Sequence, residues 1–227
     1  MPLHPGVNAI VFDFDLTLAD STAGFAECHR YAAAALGLAP PDRDAVGRTI
    51  GTPLVLAFRQ LYPPESHGLA EEYVRLYQAR ADEVMTGLTF MLDGAAGVVR
   101  DLAAAGFSLA IVSQKLRYRL EAVLRRDALL DVFGAVLGGE DVPEFKPDPR
   151  GLLLAVERLG STPERAVYVG DTVIDAEAAR RAGLPFVAVL TGFAAAEDFA
   201  AYAPLALLDS VVQLPAWAGL EKHARAE

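Results

Sequence analysis

Residues 7–21 read VNAIVFDFDLTLADS. Val7 to Asp13 is a short apolar run, rich in β-branched residues and ending in acids, the pattern of a strand buried on both faces of a parallel sheet. At its end, Asp13-Phe14-Asp15 spaces two carboxylates with period two, so continued extension would aim both at one pocket. A D-x-D is also a common solvated turn, and its meaning depends on what else reaches the same place.

Three further runs look alike: FSLAIVS (107–113), GAVLGG (134–139) and AVYVGD (166–171). Each is followed by a stretch of helical character, and repeated strand–helix units imply a parallel α/β sheet. Right-handed crossovers would bring Asp13, Ser113, Gly139 and Asp171 to the carboxyl edge, where open sheets bind ligands. Asp148-Pro149 and Thr162-Pro163 read as helix starts, a cap followed by proline at the first helical position, and Gly106, Gly160 and Gly183 read as stops.

From residue 21 to 87 the strand signal disappears. TAGFAECHRYAAAALGL and LAEEYVRLYQARADEV read instead as amphipathic helices between Gly- and Pro-bearing turns. The expected organisation is a Rossmann-like α/β core, residues 1–20 and 88–227, with an all-helical cap inserted after the first strand. The insert leaves and re-enters at the carboxyl edge, so it can close over the site and exclude water. The last residues, EKHARAE, read as a frayed charged tail.

The 227 residues suit one core plus an insert, and 53% hydrophobic against 22% charged residues describe a packed protein. Thirty acidic against twenty basic residues give a net charge of −10, a field that repels nucleic acid and anionic membrane surfaces. It also repels any anionic ligand, so an anion site would need local cations. Cys28 is the one cysteine, which points to a reducing cytoplasm and to a small buried hydrophobe rather than a disulfide. No signal peptide or membrane span is expected.

Gly170-Asp171-Thr172-Val173-Ile174-Asp175 closes one strand and opens a helix, bringing two more acids to the edge; a plain N-cap and a surface acid would look the same. Four carboxylates converging in a cleft cannot all stay ionised without a cation. Magnesium fits, since it takes a few carboxylates and completes its shell with water and phosphate oxygen. No His/Cys cluster suggests zinc. Ser113 and Gln114, ahead of a helix expected to start near Gln114, could offer a hydroxyl and backbone N–H groups to a phosphate, or Ser113 could be a simple N-cap. Lys146, in PEFKPDP, supplies the point charge that a phosphoryl group needs, or belongs to a solvated loop. The order of these elements, each after its own strand, is the argument.

FDFDLTLADS, IVSQK, FKPDP and VGDTVIDAEAARRAG resemble the four motifs of the haloacid dehalogenase (HAD) superfamily, and the resemblance spans almost the whole core. It implies the modified Rossmann-like core with a small helical cap. It implies that Asp13 attacks phosphorus to give an aspartyl-phosphate, and that Asp15 protonates the leaving oxygen and then deprotonates the hydrolytic water. Asp13 and Asp171, with the Asp15 carbonyl, would hold magnesium. Ser113, Gln114 and Lys146 would bind the phosphoryl group, and Asp175 would orient the metal shell or Lys146. Dehalogenases of the family attack carbon without metal and lack an aspartate at the place of Asp15. Leu16 departs from the pattern, standing where most of the family's phosphatases carry glycine, so a positive-φ turn there would be strained.

GGEDVPEFKPDP, the VGDTVIDAEAARRAG…TGF run and GRTIGTPL look most like phosphoglycolate phosphatases and related pyrophosphatases. Arg48, Thr49, Thr52 and Arg59 could meet a substrate carboxylate or second phosphate, or the arginines could simply be solvated. The expectation is a cytoplasmic, Mg2+-dependent phosphatase, monomer or homodimer, acting on a small phosphorylated metabolite, with phosphoglycolate the first guess. An inorganic pyrophosphatase of the same family and a β-phosphoglucomutase-like isomerase are the alternatives. A catalytically dead scaffold is disfavoured, because every motif acid is present.

Overall fold

The computed structural model describes residues 6–220, so the EKHARAE tail lies outside the described residues. β1 (Ala9–Phe12) sits inside a six-stranded sheet and is fully buried. Its alternation divides it between two layers: Ile10 and Phe12 face one apolar cluster, Ala9 and Val11 the other. β4 (Ser108–Val112) and β6 (Ala166–Gly170) pair with it in parallel on either side. β5 (Ala135–Leu137) extends the sheet beyond β4, and β7 (Phe186–Val189) and β8 (Ala206–Leu208) extend it beyond β6. The order β5-β4-β1-β6-β7-β8 reverses direction at β1, which makes the end of β1 the switch point.

α5 (Ala95–Ala104), α6 (Arg117–Arg126) and α9 (Leu214–Trp217) cover the Ile10 face. α7 (Arg150–Arg158) and α8 (Val173–Ala182) cover the Val11 face. The three strands expected after β1 are present, whereas β7 and β8 were not anticipated. Some helix starts differ from the sequence reading. α6 begins at Arg117 rather than near Gln114, with Leu116 as N-cap. Asp148 accepts from the Arg150 amide at 3.0 Å, and Pro149 precedes the helix instead of opening it. Thr162-Pro163 opens only a 3-10 turn, Pro163–Arg165, because β6 begins immediately afterwards.

Immediately after β1 the chain turns tightly through Leu16 into β2 (Ala19–Asp20), which pairs antiparallel with β3 (Phe90–Met91). Leu16 is buried and has φ of 60°, so a residue with a Cβ holds the left-handed position expected to favour glycine. That strain costs about 1–2 kcal/mol. It is held by the Leu16 amide donating to Ala19 O at 2.7 Å and by the Thr191 hydroxyl donating to Leu16 O.

Between β2 and β3 lie α1 (Thr22–Ala35), α2 (Arg43–Gly47), α3 (Leu54–Leu61) and α4 (Ala70–Val84). They have their own core, built on Cys28, Phe58, Tyr73, Tyr77 and Met85. Burial pushes the Cys28 thiol up to about 12, so it acts as a small hydrophobe.

His29 is buried in this insert, its Nδ1 2.7 Å from the Tyr73 hydroxyl, and burial lowers its pKa to about 4. The folded state therefore resists protonation in a range where the unfolded chain accepts it. The stability this confers is present above the unfolded value near 6.5 and is lost as pH falls toward 4. Urea unfolding at pH 7 and pH 4.5 should show His29→Gln escaping about 2–3 kcal/mol of the acid loss seen in the wild type. Equal losses in the two proteins would refute the assignment.

Candidate active site

The strand ends assemble the site. The Asp13 amide continues the β1 ladder by donating to Val169 O at 2.9 Å, and Ser113 continues β4 by donating to Leu137 O at 3.0 Å. The Lys146 ammonium, almost fully buried, donates to Asp13 Oδ1 at 2.8 Å, Asp175 Oδ1 at 2.6 Å and the Tyr168 hydroxyl at 3.0 Å. Burial alone would lower its pKa, but Asp13 and Asp175 override that and hold the lysine charged.

Asp175 is fixed on every side. Its Oδ1 also accepts from Tyr168 at 2.7 Å, and its Oδ2 accepts from the Thr172 hydroxyl at 2.6 Å in a capping box at the start of α8. Gly170 permits this packing, since a Cβ there would lie 2.7 Å from the Asp175 carboxyl carbon. Asp171 Oδ1 accepts from the Thr17 hydroxyl at 3.0 Å, whereas its Oδ2 is buried without a partner among the described residues. Asp13, Asp171 and Asp175 offer oxygens within 4.8 Å of one another, the one such acid, histidine or cysteine cluster among the described residues. Burial, with Asp175 and Asp13 adding repulsion, pushes Asp171 well above the carboxylate range. Burial likewise raises Asp13 to about 7, against the lowering effect of Lys146.

An orphaned buried carboxylate oxygen beside two further carboxylates, with no nitrogen or sulfur donor in the cluster, fits a hard divalent ion. Since both Asp175 oxygens are engaged, Asp13 and Asp171 have the oxygens to offer.

Asp15 does not join this cluster. Its Oδ1 accepts from Lys115 Nζ at 2.7 Å, and the same ammonium donates to Ser21 Oγ at 2.7 Å. Asp13 and Asp15 nevertheless line one chamber, as the D-x-D spacing implied. Ser113 and Gln114 line it too, but not as helix caps. The Ser113 hydroxyl accepts from the Lys115 amide at 3.2 Å, and Glu140, not a phosphate, takes the first α6 amide, Arg117 N, at 2.9 Å. Gln114 Nε2 donates to Gly51 O, tying the core to the insert.

Of the cap residues singled out from sequence, Thr52 reaches the chamber and Arg48, Thr49 and Arg59 do not. Arg48 is exposed and lines a separate, outer cleft with Asp171; Thr52 borders both spaces. The Thr49 hydroxyl donates to Val46 O, and Arg59 is exposed. Lys115, Thr17 and Tyr168 were missed. Lys115 stood inside the IVSQK motif, but nothing in a linear reading tells a lysine that pairs with Asp15 from one in solvent.

A family model described as haloacid dehalogenase-like hydrolase matches residues 10–189. The chain belongs to that family. HAD relatives with curated names are of similar length: a phosphoglycolate phosphatase of Salmonella paratyphi A is 33% identical, over 90% of this chain and 89% of that one. A probable phosphatase, IndB, of Dickeya dadantii is also 33% identical, over 88% and 89%. Among solved structures, a putative haloacid dehalogenase-like hydrolase from Bacteroides fragilis superposes with a TM-score of 0.87 at 35% identity, covering 92% of this chain and 99% of that chain. The protein is therefore a HAD hydrolase, with the fold of that family's phosphatases. No described helix is long and apolar enough to cross a membrane.

Proposed function

We propose that this phosphatase hydrolyses a small phosphomonoester, phosphoglycolate first among candidates, through a covalent aspartyl-phosphate on Asp13, and that it requires Mg2+. The observation that carries the reading is the Lys146 ammonium bridging Asp13 and Asp175 next to an unpartnered Asp171 oxygen. The relatives named phosphoglycolate phosphatase supply the first substrate to try. The helical insert acts as the cap over the chamber.

Lys146 holds Asp13 by Oδ1, while Asp13 Oδ2 accepts no hydrogen bond among the described residues and is the oxygen free to attack. The attack forms an Asp13 O–P bond as the P–O ester bond breaks. Asp15, held in place by Lys115, which is itself anchored on Ser21, gives its proton to the departing oxygen. In the second half, Asp15 takes a proton from water as the water oxygen attacks phosphorus, and Asp13 is regenerated. Lys146 and the Ser113 hydroxyl would hold phosphoryl oxygens and temper their repulsion with Asp13. Magnesium held by Asp13, Asp171 and the Asp15 carbonyl would neutralise phosphoryl charge. The caps on Asp175 keep Lys146 aimed at Asp13.

Phosphate release from phosphoglycolate, pyrophosphate, β-glucose 1-phosphate and an aryl phosphate, with magnesium or with EDTA, tests the reading. We expect metal-dependent release, fastest from phosphoglycolate, and at least about 100-fold loss in EDTA. Preference for pyrophosphate would move the assignment to a pyrophosphatase. Turnover of the sugar phosphate only with a bisphosphate activator would make the protein a mutase. Release unaffected by EDTA would overturn the metal requirement.

A further inference from the structure

The chamber holds more polar chemistry than attack on phosphorus uses. Besides the phosphoryl-side residues it is lined by Lys115, Arg119, Tyr77 and Gln78, and it encloses about 130 Å³. That is roughly the room of four water molecules. Lys115, Arg119 and Lys146 face it against Asp13 and Asp15, so a chain of net charge −10 presents a cationic majority here.

Each of the extra groups retains binding capacity. Lys115 uses two of its three N–H donors, on Asp15 and Ser21. Arg119, buried at the start of α6, reaches across to α4, where Nε and one terminal nitrogen donate to Asp82 Oδ1 at 3.0 and 2.6 Å and to Gln78 O at 3.0 Å. Its other terminal nitrogen makes no hydrogen bond among the described residues. Asp82 is 53% exposed, so water screens the charge it sets against Arg119. Tyr77 is 3% exposed, and its hydroxyl has no partner among the described residues. An orphaned buried hydroxyl in a chamber wall is the mark of a ligand contact.

We infer that Tyr77, Arg119 and Lys115 bind the leaving-group end of the substrate, and that this end is anionic: the carboxylate of a phosphorylated small hydroxy acid. The inference rests on the phosphatase reading and deepens it. The departing oxygen must lie against Asp15 to receive its proton, and Lys115 is bonded to Asp15, so the leaving group meets that ammonium first. The rest of the wall sets Phe25, Leu54 and Met85 beside Thr52, Gln78 and Gln114. Its room of about 130 Å³ suits a two- or three-carbon acid, which would place its single charged end on the cations.

The test compares phosphoglycolate with 2-hydroxyethyl phosphate, which replaces the carboxylate by a neutral hydroxymethyl group of similar size. The wild type should favour phosphoglycolate in kcat/KM. Tyr77→Phe and Arg119→Lys should each reduce that preference about tenfold, mainly through KM. Glu83→Gln, on the same helix as Tyr77 but paired with Arg80 at the surface, does not touch the chamber and should leave the preference intact. A wild type indifferent to the carboxylate, or a Tyr77→Phe protein that slows on both esters in proportion, overturns the inference. If neither ester is hydrolysed, it is the catalytic reading that fails. Calorimetric titration of Asp13→Asn with the two esters then decides the subsite: equal Kd values refute it, and tighter phosphoglycolate supports it.

Discussion

Asp13→Asn is expected to release phosphate at least about 10⁴-fold more slowly than the wild type, the scale of loss when a covalent nucleophile is removed from an intact site. The substitution is close to isosteric, and its amide oxygen can still accept the Lys146 hydrogen bond now made by Oδ1 at 2.8 Å. What it removes is the carboxylate oxygen able to form an acyl phosphate. Asp15→Asn should behave differently, losing about 10²–10⁴-fold, the range for an acid–base group, while still forming the phosphoenzyme from an ester with a good leaving group. Trapping the phosphoenzyme by acid quench and peptide mass spectrometry would locate the phosphoryl group. Asp13→Asn turning over within tenfold of the wild type would refute covalent catalysis at this residue.

The contrast between these two acids shows what the sequence could and could not disclose. Val7 to Asp15 was legible because a buried parallel strand needs apolar residues on both faces, and β1 divides its four residues between two cores as that demands. Asp171 and Asp175 were legible because a strand end followed by a helix start places acids at the carboxyl edge. β7 and β8 are apolar throughout but carry no acid or motif at their ends to mark them, and the two-residue strands of the ribbon are too short to show any period. The polar partners were hidden for another reason. Lys115 reaches Asp15 across 100 positions, and Thr17 reaches Asp171 across 154, pairings that exist only once the sheet is assembled. The helix start expected beside Ser113 was displaced locally: a three-residue loop, 114–116, separates Ser113 from α6, and Glu140 takes the first amide of that helix.

Lys146→Met should abolish activity and destabilise the metal-free protein by about 3–5 kcal/mol, the penalty for stripping a buried ion pair of one partner. The lysine is the shared counter-ion of Asp13 and Asp175, all three being almost wholly buried. Methionine fills the aliphatic space but leaves the carboxylates facing each other with only the Tyr168 and Thr172 hydroxyls and the Thr172 amide as neutral donors. Asp13 is already raised to about 7 by burial with the lysine in place, and without it the folded protein would take up a proton more readily still. A carboxyl whose folded pKa lies above its unfolded value favours folding as pH falls, and the variant takes up its proton at the higher pH, so the gap between variant and wild type should narrow as pH falls toward about 7 and hold constant below it. Denaturant titrations at pH 9 and pH 6 would show it. A double variant adding Asp175→Asn should recover part of the loss, because the second substitution removes the charge that the first left unpaired. Strict additivity, or a gap independent of pH, would mean that Lys146 stabilises the fold by packing alone, and its place as the cation shared by nucleophile and positioning acid would have to be given up.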